Sequence, residues 1–272
     1  MAPENDRLNS RAGDPFSPIA GHYDTIMEHV NYGRWSHIAE SLASLLPRPL
    51  MHLDAACGTG LLMEHLRHPD WHSTGIDLSA AMLEVAKRRR GLANLARADL
   101  CALPFRETFH LITCLFDSMN FLLHEDHICT ALLSLRQALL PDGILYFDMV
   151  THKMIADHFN NESWTERHGN FRSSWRSTYN QKKHICETRV RVNTGRISVT
   201  QERVYAVEFL CDAIQSAGLR LLAMRNAYTW GAVNRQSPRI DFVAVKQGND
   251  AYDTRFQEVE QRIKRDLKRP KR

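Results

Sequence analysis

The chain has 272 residues, 43% hydrophobic and 24% charged, with a formal net charge of +4 at pH 7. This composition is typical of a globular protein with one large domain, and we expect no membrane span because no run of about 18 apolar residues occurs. Residues 255–272 carry eight Lys or Arg against three acids. The positive charge therefore lies in the tail, and the body of the chain does not have the basic composition of a nucleic-acid-binding protein.

Two further features of the whole chain predict a cytoplasmic protein. Residues 1–15 are polar, which indicates a disordered lead and not a secretory signal. The six cysteines form no C-x-x-C pair, so we expect reduced, buried thiols.

Residues 36–150 alternate between helical and strand patterns. A helical stretch that stops at Pro47 precedes the apolar strand "LMHLDAA", and further strands are predicted in "HSTGIDL", "LARADL", "FHLITCLF" and "GILYFDMV". Helical segments separate these strands, with Ser79 and Asp126 as expected N-caps of two of them. Strands joined by single helices predict right-handed βαβ units and a parallel sheet.

The pattern changes after this region. In residues 171–206, β-branched and aromatic residues alternate with charged ones, and Asn193-Thr194-Gly195 is a turn signal, which together predict a three-stranded antiparallel meander. A helix in "VEFLCDAIQSAGL" and strands in "RLLAMRNAYTW" and "RIDFVAVK" follow. The tail has one apolar stripe at helical spacing, which predicts a peripheral amphipathic helix that is dispensable for chemistry. We favour docking of this stripe on the domain or on a second subunit over contact with an anionic partner.

The segment "LDAACGTG" places Gly58 and Gly60 at the end of the first strand, close behind Asp54. In open parallel sheets, ligands bind at the carboxyl ends of the strands, beside the switch in strand order. Glycines there let the backbone turn sharply and let a ligand approach it. Asp77 ends the second strand, where an acceptor for ribose hydroxyls is expected, and Asp99 ends the third.

These acids separate two kinds of cofactor. A dinucleotide site needs a third glycine, but Leu61, Leu62 and Met63 follow Gly60, and the negative charge of Asp54 would repel a pyrophosphate. A cationic ligand with an amino group and a ribose suits the acids better. S-adenosylmethionine is such a ligand.

The segments "LDAACGTG", "GIDLSAAMLEVAKRR", "ARADL" and "LLPDGILYFDM" resemble the class I S-adenosylmethionine-dependent methyltransferases. Within them, the opening "FSPIAGHYDTIM" resembles a small-molecule group that includes sugar-amine N-methyltransferases and carries an antiparallel insertion. The resemblance covers roughly residues 16–246. It implies an α/β fold with a Rossmann-like seven-stranded sheet and a small antiparallel β insertion. It also implies an S-adenosylmethionine cofactor and a small-molecule acceptor, with an amine nitrogen favoured.

The resemblance divides the chain into parts. Residues 16–151 and 207–248 would form the methyltransferase domain, and residues 152–206 would form the insertion, acting as a lid over the substrate. Residues 249–272 lie beyond the resemblance, and their own pattern predicts the basic C-terminal helix. We expect a monomer or a homodimer.

The resemblance also implies which residues bind the cofactor. Asp54 and the backbone of Ala55, Gly58 and Gly60 would hold the methionine end, and Asp77 would bind the ribose hydroxyls. Leu78 and Met82 would flank the adenine, and Asp99 and Leu100 would contact its amino group. Tyr23, with Trp35, would close over the cofactor, and Phe116 would face the transferred methyl. In the last strand of the insertion, Thr200-Gln201-Glu202-Arg203 stands where the group often has His-x-Gln-Arg. This departure leaves the acceptor open.

Candidate catalytic groups follow the fourth strand. Asp117 and Asn120 lie where polar groups would orient or deprotonate a nucleophile, and His124 is a candidate base facing the substrate. A local Asx turn is the alternative for the first two residues. An in-line methyl transfer needs alignment and exclusion of water more than a strong base.

Simpler structural roles remain open for several of these residues. Tyr23 and Met82 also suit core positions, and Asp99 also suits a turn. The histidines of "EHLRHPDWH" are not favoured as a metal site, because Pro69 interrupts their helix and no further ligands complete a closed site, so no metal is expected.

Two other functions also remain open. The first is an RNA or protein methyltransferase that uses the basic tail, so nucleic acid is left open as a partner but is not favoured. The second is a regulatory or scaffold protein that keeps the nucleotide-binding fold without catalysis.

Overall fold

The computed structural model describes residues 13–247 and 250–268, and these residues form two β-sheets surrounded by helices. The strands are β1 (Leu50–Ala55), β2 (Trp71–Asp77), β3 (Leu95–Arg97), β4 (Phe109–Cys114), β5 (Leu139–Val150), β6 (Ser163–His168), β7 (Phe171–Asn180), β8 (Ile185–Val192), β9 (Ile197–Arg203), β10 (Arg220–Asn226) and β11 (Arg239–Val245). The helices are α1 (Tyr23–Ile26), α2 (Tyr32–Ala43), α3 (Leu61–His65), α4 (Ala80–Arg90), α5 (Glu125–Ala138), α6 (His152–His158), α7 (Val207–Ser216) and α8 (Asp250–Leu267). Most of the predicted disordered lead lies outside the described residues.

The larger sheet has the strand order β10-β11-β5-β4-β1-β2-β3. Strands β1 to β5 are parallel, and β11 is antiparallel to both of its neighbours. The chain runs outward from β1 to β3 and then returns to β4, so the strand order reverses between β1 and β4. The carboxyl ends of these two strands border the crevice in which such sheets bind ligands. The predicted α/β, Rossmann-like seven-stranded sheet is confirmed.

Helices cover both faces of this sheet. Helices α5 and α7 contribute to the core on one face, and α2 and α8 contribute to the core on the other. All seven residues of β11 are buried, as expected for a strand covered on both sides. Of the two predicted N-cap residues, one is confirmed. Ser79 caps α4 through the amide of Met82, whereas α5 begins at Glu125 with His124 in the N-cap position, so the predicted cap at Asp126 is wrong.

The smaller sheet is antiparallel, with the order β6-β7-β8-β9. The sequence predicted three strands, and the structure adds β6 at the start. This strand alternates polar residues with few apolar ones, so its pattern was too weak to identify. Its place in the sheet is fixed by Trp164, which pairs with Trp175 of β7 and stacks on it with ring centroids 5.3 Å apart.

The insertion packs on the N-terminal segment of the chain. Val190 and Val192 of β8 are buried against Ile19 and Ile26, and Ser198 of β9 donates a hydrogen bond of 2.7 Å to the carbonyl of Pro15. The insertion and the N-terminal segment therefore form one wall.

Helix α8 is part of the core. Phe256, Val259 and Ile263 are buried with residues of α2. Arg255 and Arg262 donate to the last carbonyls of the α2 region, at Leu45 O (3.0 Å) and Ser41 O (3.2 Å). The predicted docking of the apolar stripe on the domain is confirmed, and the opposite face of the helix is exposed, as expected for a peripheral amphipathic helix.

Candidate functional site

The turn after β1 is built from residues with left-handed backbone conformations. Ala56, Gly58 and Gly60 have φ values of 62°, 54° and 77°. A Cβ at Gly60 would clash with Leu92 Cδ1 and lie 3.3 Å from Ala86 Cβ, and the positive φ disfavours any other residue there. A Cβ at Gly58 would meet no atom within 4 Å. Gly60 therefore packs the turn against α4 and the loop after it, whereas Gly58 leaves the backbone open to a ligand.

Asp54 lies at the carboxyl end of β1 and is only 2% exposed. Its Oδ1 accepts a hydrogen bond of 2.8 Å from the Thr113 hydroxyl on β4, and its Oδ2 has no hydrogen-bond partner among the described residues. Burial raises the pKa of this carboxyl to about 7, although the Thr113 hydrogen bond opposes the shift. A buried carboxylate oxygen without a partner is costly, and a cationic donor would offset that cost.

Asp77, at the end of β2, joins the glycine turn to α4. Its Oδ2 accepts from the Gly58 amide and its Oδ1 accepts from the Ser79 amide, both at 2.8 Å. Burial raises its pKa, and these amide hydrogen bonds oppose the shift. Each carboxylate oxygen can accept a further hydrogen bond, so the acid remains suited to ribose hydroxyls while it also holds the loop.

The predicted adenine contacts differ in their placement. Leu78 is 60% exposed, so its apolar side chain is accessible beside Asp77. Met82 is 2% exposed and packs with Ala20 and Val85, which supports the core alternative for this residue. Asp99 is exposed and accepts a hydrogen bond of 2.9 Å from the Cys101 amide. This bond gives it the role of a turn residue, and its contact with the adenine stays a prediction. The next residue, Leu100, is half-buried.

The N-terminal segment is tied to the glycine turn by an acid that the sequence did not single out. Asp24 accepts from the Thr59 hydroxyl and forms ion pairs of 3.2 Å with Arg89 and 2.8 Å with Arg90. Arg90 also donates to the Thr59 carbonyl at 2.9 Å. This network fixes the neighbouring Tyr23 beside the crevice. The only sequence signal for it was the Tyr-Asp pair of the opening motif.

Tyr23 and Tyr32 bring phenol groups toward the acids of the crevice. Burial is the main cause that raises both pKa values, and the charge of Asp117 raises both further. Tyr23 also packs edge-on against Phe16, with ring centroids 6.2 Å apart. The ring of Tyr23 thus packs in the core, while its hydroxyl group lies toward the site.

The turn after β4 has two successive residues in the left-handed region, Phe116 (φ 62°) and Asp117 (φ 55°). Such a pair of non-glycine residues is strained and is common at functional sites. The Phe116 ring contacts Tyr32 and Trp35, with centroids 4.3 Å and 4.8 Å away. Trp35 is 4% exposed, so it supports Phe116 from behind, and its closure over the cofactor stays a prediction.

Asp117 takes part in a charged cluster. Arg239, at the start of β11, lies 3.3 Å from Asp117 Oδ1 and also pairs with the buried Asp148 of β5. The Asp117 amide donates to Asp148 Oδ2 at 3.3 Å, and Asp148 Oδ1 has no hydrogen-bond partner among the described residues. Burial raises the pKa of Asp148, and the charge of Arg239 opposes the shift. Two carboxyl groups thus share one guanidinium.

The structure does not support the other two predicted catalytic residues. Asn120 is fully buried, and its amide donates to Arg203 O at 2.8 Å and accepts from Val150 N at 3.0 Å. These bonds give it a structural role. His124 is exposed at the start of α5, with its ring packed against His127 at 5.2 Å. Neither residue is placed to act on a substrate with Asp117.

The insertion contributes one acid that the sequence did not identify as functional. Glu202 of β9 is half-buried and interacts electrostatically with Asp117, Arg239 and Tyr23. The sequence marked it only as a departure from a family pattern, since Asp117, the acid that interacts with it, is 85 positions earlier in the chain.

Two features are absent from the described parts of the chain. In residues 13–247 and 250–268, His, Cys, Asp and Glu form no group of three or more that is arranged to hold a metal ion. In the same residues, the helices include none with the length and apolar character needed to cross a membrane.

Comparison with known proteins gives both a family match and relatives. Residues 53–143 match a family model described as a methyltransferase domain. The chain is 27% identical to YqeM of Bacillus subtilis (strain 168), which is named as a methyltransferase, over 85% of this chain and 97% of that protein. It is 30% identical to the dTDP-3-amino-3,6-dideoxy-alpha-D-glucopyranose N,N-dimethyltransferase of Streptomyces fradiae, over 50% of this chain and 56% of that enzyme.

Solved structures share the fold. An S-adenosylmethionine-dependent methyltransferase from Clostridium acetobutylicum ATCC 824 superimposes with a TM-score of 0.74 at 23% identity, over 86% of this chain and 99% of that one. CalS10, an amino pentose methyltransferase from Micromonospora echinaspora with S-adenosylmethionine bound, gives a TM-score of 0.63 at 21% identity, over 84% of this chain and 95% of that one.

Proposed function

Since this chain is an S-adenosylmethionine-dependent methyltransferase, we propose that its acceptor is a small molecule and that the methyl group goes to an amine nitrogen of that molecule. The observation that carries the proposal is the acidic character of the crevice beside the turn after β4. Asp117 and Asp148 share the single guanidinium of Arg239 there, and the side chain of Asp117 is 22% exposed. This arrangement favours a cationic group at the point where the acceptor would enter.

The residues at the ends of β1 and β2 fit the cofactor. Asp54 presents a buried oxygen without a partner, which suits the ammonium group of the methionine end, and Gly58 leaves open space above the turn. Asp77 would accept from the ribose hydroxyls, and the exposed Leu78 would cover the adenine. In this fit, the ammonium and the hydroxyl groups of the cofactor would face the acids Asp54 and Asp77. Such acids suit a sulfonium cofactor and would repel a pyrophosphate.

S-adenosylmethionine supplies a methyl group on a positively charged sulfur, and the carbon–sulfur bond breaks as the bond to nitrogen forms, with the electron pair passing to sulfur. The chain has to align the acceptor and exclude water. Phe116, supported by Trp35, and Tyr23 would provide an aromatic wall near the reacting atoms. We propose that residues 152–206 act as the lid on the acceptor side.

Relatives support an amine acceptor. Three of them, at 30–32% identity, are named as N,N-dimethyltransferases of dTDP-linked amino sugars. Other relatives are named as demethylmenaquinone methyltransferases, including one at 37% identity. The acidic cluster beside Asp117 favours an amine over demethylmenaquinone as the acceptor. An amine can carry a positive charge to these acids, whereas a neutral ring cannot.

The packing of α8 weighs against an RNA or protein methyltransferase that uses the tail. Arg255 and Arg262 are engaged with α2, and Glu260 pairs with Arg225 at 2.6 Å. Part of the basic tail is thus committed to the fold. A non-catalytic scaffold would not need the open Gly58, the unpaired oxygen of Asp54 and the strained turn at Asp117 in one crevice.

The test is transfer of an isotopically labelled methyl group to three classes of acceptor: the dTDP-linked amino sugars, total RNA and unfolded protein. We expect label on the amino sugar nitrogen, with a rate that changes less than about threefold between 50 and 300 mM salt. Labelled RNA or protein, with a rate that falls steeply as salt rises, would establish the rival function instead. The absence of transfer to all three, with S-adenosylmethionine bound, would favour the scaffold.

A further inference from the structure

Glu202 reaches the crevice from the insertion, opposite the turn after β4. In β9, residues 198, 200 and 202 share one face of the strand. Glu202 pairs in register with the buried Cys186 of β8, and Ser198 pairs with the buried Val190. This is the face that packs toward the N-terminal segment. The neighbouring Arg203 has the opposite orientation, and its guanidinium binds Glu125 at 2.9 Å.

Asn120 holds β9 beside the turn that carries Asp117. Its side-chain amide donates to the carbonyl of Arg203, the residue next to Glu202, at 2.8 Å. Its backbone amide donates to the Asp117 carbonyl at 2.7 Å. One buried residue, through its side chain and its backbone amide, therefore connects the two segments, in agreement with the electrostatic interaction between Asp117 and Glu202.

The Glu202 carboxyl has no fixed partner. Among the described residues, it makes no hydrogen bond or ion pair, although it is half-buried. Asp117, Arg239 of β11 and Tyr23 of α1 interact with it electrostatically, and Cys186 of β8 lies opposite it in the strand register. Arg239 is already bound to the other two carboxylates of the cluster, so it does not neutralise Glu202.

The buried Asp148 gives a second indication that this cluster lacks a cation. Its Oδ1 is unpartnered among residues 13–247 and 250–268, and its side chain is 0% exposed. Carboxylates outnumber cations here. A ligand that brings a positive charge would therefore improve the electrostatics of the whole group.

We propose that Glu202 is a catalytic residue on the acceptor side: it binds the protonated amine of the acceptor and takes its proton, so that the free amine can attack the methyl group. This inference rests on the proposed function. In the step, an N–H bond of the ammonium breaks and an O–H bond forms on the carboxylate. The nitrogen keeps the lone pair that forms the new bond to carbon. Burial raises the pKa of Glu202 to about 8, closer to that of an amine than an ordinary carboxyl would be, and the positive charge of the entering amine favours the carboxylate form that the step needs.

The test compares Glu202→Gln and Glu202→Asp with a matched control, Glu187→Gln. Glu187 lies on the opposite face of the same sheet, where it binds Gln201 at 2.9 Å. The probes are the dTDP-linked amino sugars that name the relatives and the same sugars with a hydroxyl in place of the amine. Affinity for S-adenosylhomocysteine serves as a check on folding and should stay within about threefold in all variants.

We expect Glu202→Gln to lower kcat/KM for the amino sugar by about 100-fold, as for loss of a general base. With S-adenosylhomocysteine bound, the variant should also lose at least tenfold of the binding preference for amine over hydroxyl. Glu202→Asp should recover part of both, and Glu187→Gln should match the wild type. If the wild type methylates the amino sugar and Glu202→Gln does so within threefold, with its preference intact, the inference is wrong and the proposed function stands. If the wild type methylates no amino sugar, the proposed function fails and the inference fails with it.

Discussion

The two ends of the crevice are built in different ways. At the cofactor end, Asp54, Gly58 and Asp77 come from one βαβ unit, within 24 residues of each other, and they are linked by direct hydrogen bonds such as that between Gly58 and Asp77. At the end that we propose binds the acceptor, called the acceptor end, Asp117, Glu202 and Arg239 come from three distant parts of the chain, and a buried Asn120 connects two of those parts.

This difference shows which half of a site can vary. The cofactor end depends on backbone conformation and on acids that also hold the turn, so most substitutions there would disturb the loop itself. The acceptor end depends on side chains that meet only in the folded protein. If the proposed function is right, we expect a change in one strand of the insertion to alter the choice of acceptor without altering the cofactor site.

The largest expected effect comes from Asp54→Asn, which removes the carboxylate at the methionine end. Hydrogen bonds to charged groups contribute about 1.5–3 kcal/mol. Because Asp54 is buried, we expect its bond to the cofactor to contribute an amount near the upper end of this range. We expect affinity for S-adenosylmethionine to fall roughly 100-fold by calorimetry. An unchanged Kd would mean that the cofactor end is not organised around this acid.

The same variant has a predictable effect on stability. Because the folded-state pKa of Asp54 is raised from 3.8 to about 7, the folded protein holds this proton more tightly than the unfolded chain. Its contribution to stability is fully present below about pH 4 and is lost as pH rises through 7. The wild type should therefore lose stability relative to Asp54→Asn between pH 4 and 7, as measured by urea unfolding. A constant difference across this range would contradict the assignment.

Asp77→Ala should weaken cofactor binding about tenfold to 100-fold through loss of the ribose hydrogen bonds. It also removes the acceptor for the Gly58 and Ser79 amides, so we expect a modest loss of thermal stability as well. Asp77→Asn, which keeps an acceptor oxygen, should lose less stability. If both variants bind S-adenosylmethionine as the wild type does, Asp77 only holds the turn.

Asn120→Ala tests the connection between the two segments of the acceptor end. It leaves the Val150 amide and the Arg203 carbonyl without their side-chain partner, which should cost about 1–3 kcal/mol of stability. The effect on activity should appear in the KM for the acceptor, while the Kd for S-adenosylhomocysteine stays within about threefold. A larger effect on cofactor affinity than on the KM of the acceptor would contradict the separate construction of the two ends.

The smallest expected effect is a change in hydrogen exchange of the insertion. If residues 152–206 act as a lid, their amides should gain protection when an amino sugar binds in the presence of S-adenosylhomocysteine. The cofactor product alone should mainly protect the glycine turn and the start of α4. Equal protection of the insertion in all states would identify it as a static part of the fold.

The glycine turn and the acids beside it could be located in the sequence because their signals are local. The glycine turn follows a strand, and the acids at positions 54 and 77 can be located by counting from it. The seven-stranded sheet also follows from the alternation of strands and helices. The weak strand β6 was missed, because its polar residues give little periodicity and its place depends on Trp164 meeting Trp175.

The acceptor end was predicted less well because residue type does not reveal a partner. Asn120 and His124 have side chains that suit catalysis, but one is used to connect β9 to the turn and the other is exposed. Arg239 and Asp148 carry no motif, since their pairing needs β5 and β11 to lie side by side. Only the folded chain brings such residues together.

The most direct test of the account is a calorimetric titration of the wild-type protein with S-adenosylmethionine, S-adenosylhomocysteine and NAD. The acids at the ends of β1 and β2, with an open Gly58 and no third glycine, predict binding of the first two and no measurable binding of NAD. Tight binding of NAD, with no response to either sulfur compound, would contradict it.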